Sequence, residues 1–223
     1  DDPQQVFRTL PKVAFAALQE TLDAYRGTLL APPPGEFFRV LDARRELGSG
    51  VASWPRVRVK ILVRGATDSP ADDVILELKE LADASVGPSI PPYVYARSIG
   101  DRVRDTSRRA WARPDAEPFW GTSTWLGLPV QIRLETEGAK TLRVARMVGP
   151  LGTPDALMAT ARALGALLAR VHATPLPPPG SKTPAKVISA RIEEDGAGFE
   201  DEQADAGMAY LAVVQSDLAR FRR

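Results

Sequence analysis

Apolar and cationic side chains alternate along residues 57–63, where valine or isoleucine occupies every second position and arginine or lysine fills most positions between. A period of two is typical of a strand that buries one face. A second apolar run, residues 74–78, follows a polar turn at residues 67–73 and ends at Lys79. Because a short polar turn joins the two runs, we expect two neighbouring strands in a twisted antiparallel sheet, with a cationic face toward solvent or a ligand.

Helical periodicity marks the segment before these strands. In residues 11–26, Phe15, Leu18, Leu22 and Tyr25 recur at spacings of three and four, which predicts a helix that buries this face. Glycine follows at position 27 and suits the end of a helix.

Further elements follow along the chain. We expect strands at residues 37–41, 129–134 and 141–147, the last two forming a hairpin around Glu137-Gly138. Helices are expected at residues 100–111, at 155–171 with Thr153 as the cap, and at 199–221. The side chains expected to face inward on the last two helices are Leu157, Ala161, Leu164, Leu168, Val171, Met208, Leu211, Leu218 and Phe221.

This order of elements predicts an α+β fold in three parts. Residues 1–35 form an N-terminal helix and a proline-rich linker, residues 36–150 a small antiparallel sheet lobe with a helix, and residues 151–223 a helical lobe. A small sheet lobe followed by a helical lobe is the division of protein-kinase-like folds, and this chain would be incomplete relative to a full fold of that kind.

The composition excludes several kinds of site. The chain has no cysteine and no asparagine, and His172 is its one histidine, so cysteine nucleophiles, zinc fingers, iron–sulfur sites and disulfides are excluded. A net charge of +1 gives no general attraction to nucleic acid or acidic membranes. No signal-peptide pattern or membrane-length apolar stretch is present. We therefore expect a cytoplasmic protein without nucleic-acid or membrane partners, and no metal site at acidic residues 193–195.

Two glycines and a lysine point to phosphate chemistry. Gly48-Ser49-Gly50 lies between two strand-like runs, and Lys79 ends the next strand. Protein kinases hold a triphosphate with a glycine-rich hairpin, whose backbone N–H groups approach the phosphates, and with a lysine on the following strand. They also need an asparagine for a metal ion, which this chain cannot supply. The pattern indicates nucleotide binding by a chain that is incomplete, has altered catalysis or is not a catalyst.

Each of these residues also has a purely structural interpretation. Lys79 can be a solvated lysine at a strand end, and the glycines can simply form a tight turn. Asp105 can be a surface acid paired with Arg102 or Arg109. His172, at the end of its helix, can interact with the helix dipole.

Blocks of the sequence resemble, in order and spacing, the second half of an uncharacterised bacterial family, domain of unknown function 2252. In the first part of the chain, residues 38–44 with Gly48, Gly50 and Arg56 are similar to the family block "D-x-x-R…G-x-G…R", and Leu78-Lys79-Glu80 with Ser85 is similar to "K-E-A-x-x-S". Residues 102–108 are similar to the block "R-V-V-E-G-Q-R". Toward the end, residues 142–147 are similar to "Y-V-R-Q-L" and residues 164–173 to "G-x-x-L-A-R-A-H-A".

That family is regarded as distantly kinase-like, so the resemblance implies a site for ATP and Mg²⁺. The residues that it implies at this site are Gly48, Ser49, Gly50, Arg56, Lys79, Glu80, Asp105 and Met147. It also implies that acidic catalytic loops lie in a missing N-terminal segment or on a partner chain. Three positions depart from the family pattern: Asp105 replaces a longer glutamate expected opposite Lys79, Trp54-Pro55 replaces a third glycine, and Leu81 replaces a small residue.

Two functions are compatible with these observations. The first is the nucleotide-binding portion of a phosphotransferase whose catalytic loops are not in this chain. The second is a non-catalytic, pseudokinase-like interaction module that does not bind nucleotide. The retained Lys79-Glu80 favours the first, whereas the shortened acid and the degenerate glycine loop favour the second.

Overall fold

The computed structural model describes residues 6–47, 56–82, 97–111, 113–135, 152–173 and 180–222. The chain divides into two compact units, Asp1–Arg146 and Met147–Arg223. The described residues form an α+β protein in which the first unit holds an antiparallel sheet and the second holds helices. The three-part division into functional lobes stays a prediction.

The first unit contains a six-stranded sheet and two helices within its described residues. Its elements are β1 (Val6–Thr9), α1 (Lys12–Arg26), β2 (Val40–Leu47), β3 (Arg58–Val63), β4 (Val74–Glu80), α2 (Ile99–Ala110), β5 (Gly121–Trp125) and β6 (Leu128–Leu134). The strand order is β1-β2-β3-β4-β6-β5, and every pair is antiparallel. The predicted pairing of β3 with β4 is confirmed, in a register that places Lys60 opposite Glu77.

Helix α1 and one face of the sheet form the hydrophobic core. Leu18, Leu22 and Tyr25 of α1 are fully buried and belong to one cluster with Ile61 and Leu76 of the central strands. Burial of a leucine side chain contributes about 1.5–3 kcal/mol, so the helix is held by its apolar stripe. The predicted stripe is wrong at one position, since Phe15 is 37% exposed.

The predicted strand at residues 37–41 is displaced toward the C-terminus. Strand β2 begins at Val40, because Phe38 has a φ of 78°, which no strand residue adopts. The Phe38 ring is buried and packs edge-to-face against Tyr25 and Phe119. Its backbone N–H donates to the carbonyl oxygen of Arg64 at 3.1 Å.

The strand predicted at residues 129–134 is present as β6, and the partner strand predicted at residues 141–147 lies outside the described residues. Strand β6 is hydrogen-bonded on one side to β4 and on the other to β5. Its hairpin partner is β5, joined through Leu126 and Gly127, whose φ values are 51° and 78°. Two positive φ values are those of a type I′ turn, which suits the twist of a hairpin. Residues 136–151 lie outside the described residues.

The second unit contains three helices within its described residues: α3 (Pro154–Ala173), α4 (Pro184–Glu194) and α5 (Gly196–Phe221). The helix predicted at 155–171 is confirmed, and the N–H of Ala156 donates to the capping Oγ1 of Thr153 at 3.3 Å. The predicted burial is wrong. The exposed fractions of the large apolar side chains expected to face inward are 38% for Leu157, 45% for Leu164, 54% for Leu168, 39% for Val171, 67% for Met208, 47% for Leu211, 46% for Leu218 and 89% for Phe221.

The helices of this unit expose their apolar stripes. Helix α4 contacts both α3 and α5, and none of the three helices has a buried residue. Within the described ranges, no helix combines the length and the apolar character needed to cross a membrane.

Candidate functional site

The face of the sheet opposite the core is charged. In β3 and β4 the buried residues Val59, Ile61, Leu76 and Leu78 point into the core, and the residues between them point to the other face. The cationic face predicted for residues 57–63 is therefore present. It also contains acids that the sequence pattern did not indicate, among them the buried Glu77.

Six side chains on this face form what we call the sheet-face ion network: Glu46, Arg58, Lys60, Glu77, Arg133 and Glu135. Lys60 lies at its centre, with its Nζ 2.8 Å from Glu77 Oε2, 3.3 Å from Glu46 Oε2 and 2.5 Å from Glu135 Oε2. Arg133 Nη2 donates to Glu77 Oε1 at 3.1 Å. Arg58 Nη1 lies 3.6 Å from Glu46 and 3.9 Å from Glu77.

The network keeps its central groups ionised. Burial alone would raise the pKa of Glu77, but the hydrogen bond and charge of Lys60, together with Arg133 and Arg58, outweigh it and lower that pKa. Burial would likewise lower the pKa of Lys60, but the hydrogen bonds to Glu135 and Glu77 raise it overall. The network therefore pairs its acids with its cations at neutral pH.

Lys79 lies on the same face, beside the network. It is opposite Arg58 of β3 and Gln131 of β6 in the register, which places it on the face that carries Glu77. In the described part of the chain, no acidic group lies within 4 Å of its ammonium. Lys79 is therefore a half-buried cation beside other cations, an arrangement that favours a bound anion.

The electrostatics of Lys79 agree with this geometry. Burial and then the charge of Arg58 lower the pKa of Lys79, and Arg133 and Arg56 add to this effect, while Glu77 opposes it in part. An anion placed among these groups would relieve the repulsion. Arg56, which the sequence assigned to the site, thus acts on Lys79 from just before β3.

The remaining predicted site residues have different positions. Gly48, Ser49, Gly50 and Met147 lie outside the described residues. The carboxylate of Glu80 accepts a hydrogen bond from the backbone N–H of Val57 at 2.9 Å, and the N–H of Glu80 donates to the carbonyl oxygen of Val57 at 2.9 Å. Glu80 therefore fastens the start of β3 to the end of β4.

Asp105 does not form the expected pair with Lys79. Its carboxylate binds Arg97 Nη2 at 2.5 Å and lies 3.5 Å from Arg104 Nε. The hydrogen bond from Arg97 lowers the pKa of Asp105. Asp105 does pair with arginine, as the structural interpretation held, but its partners are Arg97 and Arg104, so the predicted pairing with Arg102 or Arg109 is wrong. The side chain of Arg97 reaches Asp105 from just before the capping residue of α2.

A groove of about 630 Å³ lies along the free edge of β5, between α1 and the start of α2. The hydroxyls of Thr21 and Thr28, from α1 and the turn after it, approach this edge. The N–H of Thr122 donates to Thr28 Oγ1 at 3.1 Å, and Thr21 Oγ1 donates to the carbonyl oxygen of Thr124 at 3.3 Å. These side chains satisfy backbone groups that an edge strand would otherwise expose. No periodicity in the sequence indicated this groove.

The second unit contributes no candidate chemistry in its described residues. His172 is exposed in the last turn of α3. Asp195 caps α5, its carboxylate accepting from the N–H of Gly198 at 2.9 Å. Throughout the described ranges, no cluster of three acidic or histidine side chains is placed to bind a metal ion.

These features define an α+β protein whose antiparallel sheet presents a charged face opposite its core. Residues 1–223, the entire chain, match the family model described as an uncharacterized protein conserved in bacteria, DUF2252. The chain belongs to this family. No curated protein and no solved structure matches it.

Proposed function

We propose that the first unit binds the phosphate groups of a nucleotide such as ATP on the charged face of its sheet, with Lys79 as the countercharge. The observation that carries the proposal is the half-buried ammonium of Lys79, which has cationic neighbours and no acidic partner among the described residues. Such a cation gains free energy when a phosphate replaces lost hydration.

The order of the elements supports the same proposal. A hairpin of β2 and β3 precedes the lysine strand β4, and the acid-bearing helix α2 follows. Protein kinases have a glycine-rich loop, a lysine on the third strand and a glutamate-bearing helix in this order. We propose that the unit is a distant relative of the kinase small lobe.

Catalysis would need groups that this chain lacks. The sequence has no asparagine, and the acids beside Lys79 are already paired with cations of the ion network. We propose that acidic catalytic loops are supplied by another segment or by a partner chain, and that the 223-residue chain is inactive alone. Any Mg²⁺ would then be carried by the phosphates of the ligand.

A non-catalytic interaction module is the alternative. One observation favours it: Asp105 is ion-paired with Arg97 and Arg104, so the acid that a kinase would direct at the lysine is engaged elsewhere. The two proposals differ in whether nucleotide binds.

Thermal unfolding with and without ATP and Mg²⁺ distinguishes these functions. A ligand at 100 times its Kd stabilises the native state by about 2.7 kcal/mol, so ATP should raise the Tm. In Lys79→Ala this rise should be lost, whereas the Tm without ligand should not fall, because the substitution removes a repelled cation. Lys12→Ala is the matched control, since Lys12 is exposed at the start of α1.

Two results would contradict the proposal. Absence of any ATP-dependent rise in the unsubstituted chain would favour the interaction module. A rise that persists unchanged in Lys79→Ala would place the nucleotide somewhere else.

A further inference from the structure

Helix α5 carries a heptad pattern of small and apolar residues, which we call the α5 seam. Its members recur from residue 204 to residue 221 at alternating spacings of three and four. The a positions are Ala204, Leu211 and Leu218, and the d positions are Gly207, Val214 and Phe221. The leucines and the valine are about half-exposed, and Phe221 is almost fully exposed. Such a seam is typical of helices that wind around each other.

The exposed seam is long enough to bind a second helix. Single apolar side chains on a surface are ordinary, but a continuous exposed stripe marks a place where another surface binds. Residues 208–221 cover about 20 Å of helix at 1.5 Å per residue. Met208 and Tyr210, at the e and g positions beside the seam, are also exposed and widen it. A partner helix with its own apolar stripe would bury this surface.

Charged side chains beside the seam identify the partner as a second copy of α5. Asp217 occupies a g position on one side of the seam, and Arg222 occupies the next e position on the other side. In parallel helices that wind around each other, a g residue faces the next e residue of the partner helix, and opposite charges there set partner and orientation. Two parallel copies of α5 would therefore pair Asp217 of each with Arg222 of the other.

The local structure is compatible with this pairing. Arg222 is the C-cap residue of α5 and keeps helical dihedral angles, with a φ of −81° and a ψ of −3°, so the heptad positions extend to it. Asp217 Oδ1 lies 3.7 Å from Arg220 Nη1 of the same helix, and both side chains are exposed. An exposed ion pair of this kind contributes little free energy, so Asp217 can exchange it for a partner on another chain at little cost.

We infer that the protein self-associates through the α5 seam, with the helices parallel and Asp217 of each copy paired with Arg222 of another. This association goes beyond the proposed function and does not depend on nucleotide binding. Leucine at the a positions and a β-branched valine at a d position also favour the entry of further copies in the same parallel arrangement.

Light scattering coupled to size-exclusion chromatography, on the full chain at about 1–100 µM, measures this association. At the highest concentration the mass should be at least twice that of one chain. Leu218→Glu puts a charge into the seam but keeps a good helix former, and it should raise the dissociation constant at least about tenfold. The matched control is Ser216→Glu, which introduces the same side chain at an f position away from the seam and should leave the dissociation constant unchanged.

Two charge reversals test the parallel pairing. Asp217→Arg sets like charges opposite Arg222 of the other copy, and Arg222→Asp sets like charges opposite Asp217. Each variant alone should therefore associate several-fold more weakly than the unsubstituted chain. An equimolar mixture of the two variants restores opposite charges at both contacts, and its association should return to that of the unsubstituted chain.

The outcomes decide the inference. A chain that stays monomeric over the whole concentration range overturns it, because the seam would then be covered within its own chain or left open. Association that Leu218→Glu leaves unchanged also overturns it, because another surface would be in use. A mixture of the charge variants that associates as weakly as its components excludes the parallel pairing and overturns the inference as well. Restoration in the mixture supports the inference, since two merely damaged helices would not restore each other.

Discussion

Glu77→Gln tests whether the sheet-face ion network stabilises the first unit. Glu77 is 6% exposed in its side chain and accepts hydrogen bonds from Lys60 and Arg133. Removing one partner of a buried pair costs about 3–5 kcal/mol. Lys60 keeps Glu46 and Glu135, Arg133 is half-exposed, and glutamine retains one acceptor oxygen. We therefore expect a smaller loss, about 2 kcal/mol.

Tryptophan fluorescence during urea unfolding measures this loss in the right part of the chain. All four tryptophans, at positions 54, 111, 120 and 125, belong to the first unit. The matched control is Glu117→Gln, which makes the same change at an exposed loop position and should alter stability by less than about 0.5 kcal/mol. A Glu77→Gln protein as stable as this control would refute the reasoning, because the network would then contribute nothing.

Two other predictions follow from single residues. The pKa of Lys79 is lowered, and an anion binds the protonated lysine, so ATP affinity should fall several-fold between about pH 7 and about pH 10 as Lys79 loses its proton. Calorimetry should find no such fall in Lys79→Arg, because arginine stays charged over this range. An equal fall in both proteins would contradict the assignment of Lys79 as the ATP countercharge. Gly121→Ala would place its Cβ 2.6 Å from Thr28 Oγ1 and 2.9 Å from the Tyr25 ring, so urea unfolding should show a loss of about 1–3 kcal/mol. Gly27→Ala, with a helical φ of −65° and no contact closer than 3.4 Å, should be tolerated, and equal stability of the two variants would count against the packing described.

The sequence predicted the central strands because their pattern is regular. Alternation in residues 57–63 and the short polar turn specified the pairing of β3 with β4 and the charged face. The Lys60–Glu77 pair could also have been predicted from the sequence. Glu77 is the one acid in the apolar run of β4, and the register of the two strands places it opposite Lys60. The β5–β6 hairpin was missed because Leu126, a residue that rarely adopts positive φ, occupies the first turn position.

The site was predicted less completely than the fold, because long charged side chains pair with residues that are near in space and need not be near in sequence. Strand periodicity predicted the cationic face of residues 57–63, whereas the position of Lys79 on that face became evident only from the register of β3 and β4. The partner of Asp105 did not, because Arg97 lies eight residues earlier and outside the helix pattern that paired acids with nearby arginines. The exposure of the apolar stripe on α3 also escaped prediction, because periodicity identifies an apolar face but not what covers it.

The threonine contacts at the edge of β5 have a consequence for the order in which the protein is made. Thr21 and Thr124 are separated by 103 positions, and ribosomes add about 5–20 residues per second. Helix α1 therefore leaves the ribosome roughly 5–20 s before the strand that it covers. During that interval part of its apolar face has no native partner, and a chaperone has time to bind it.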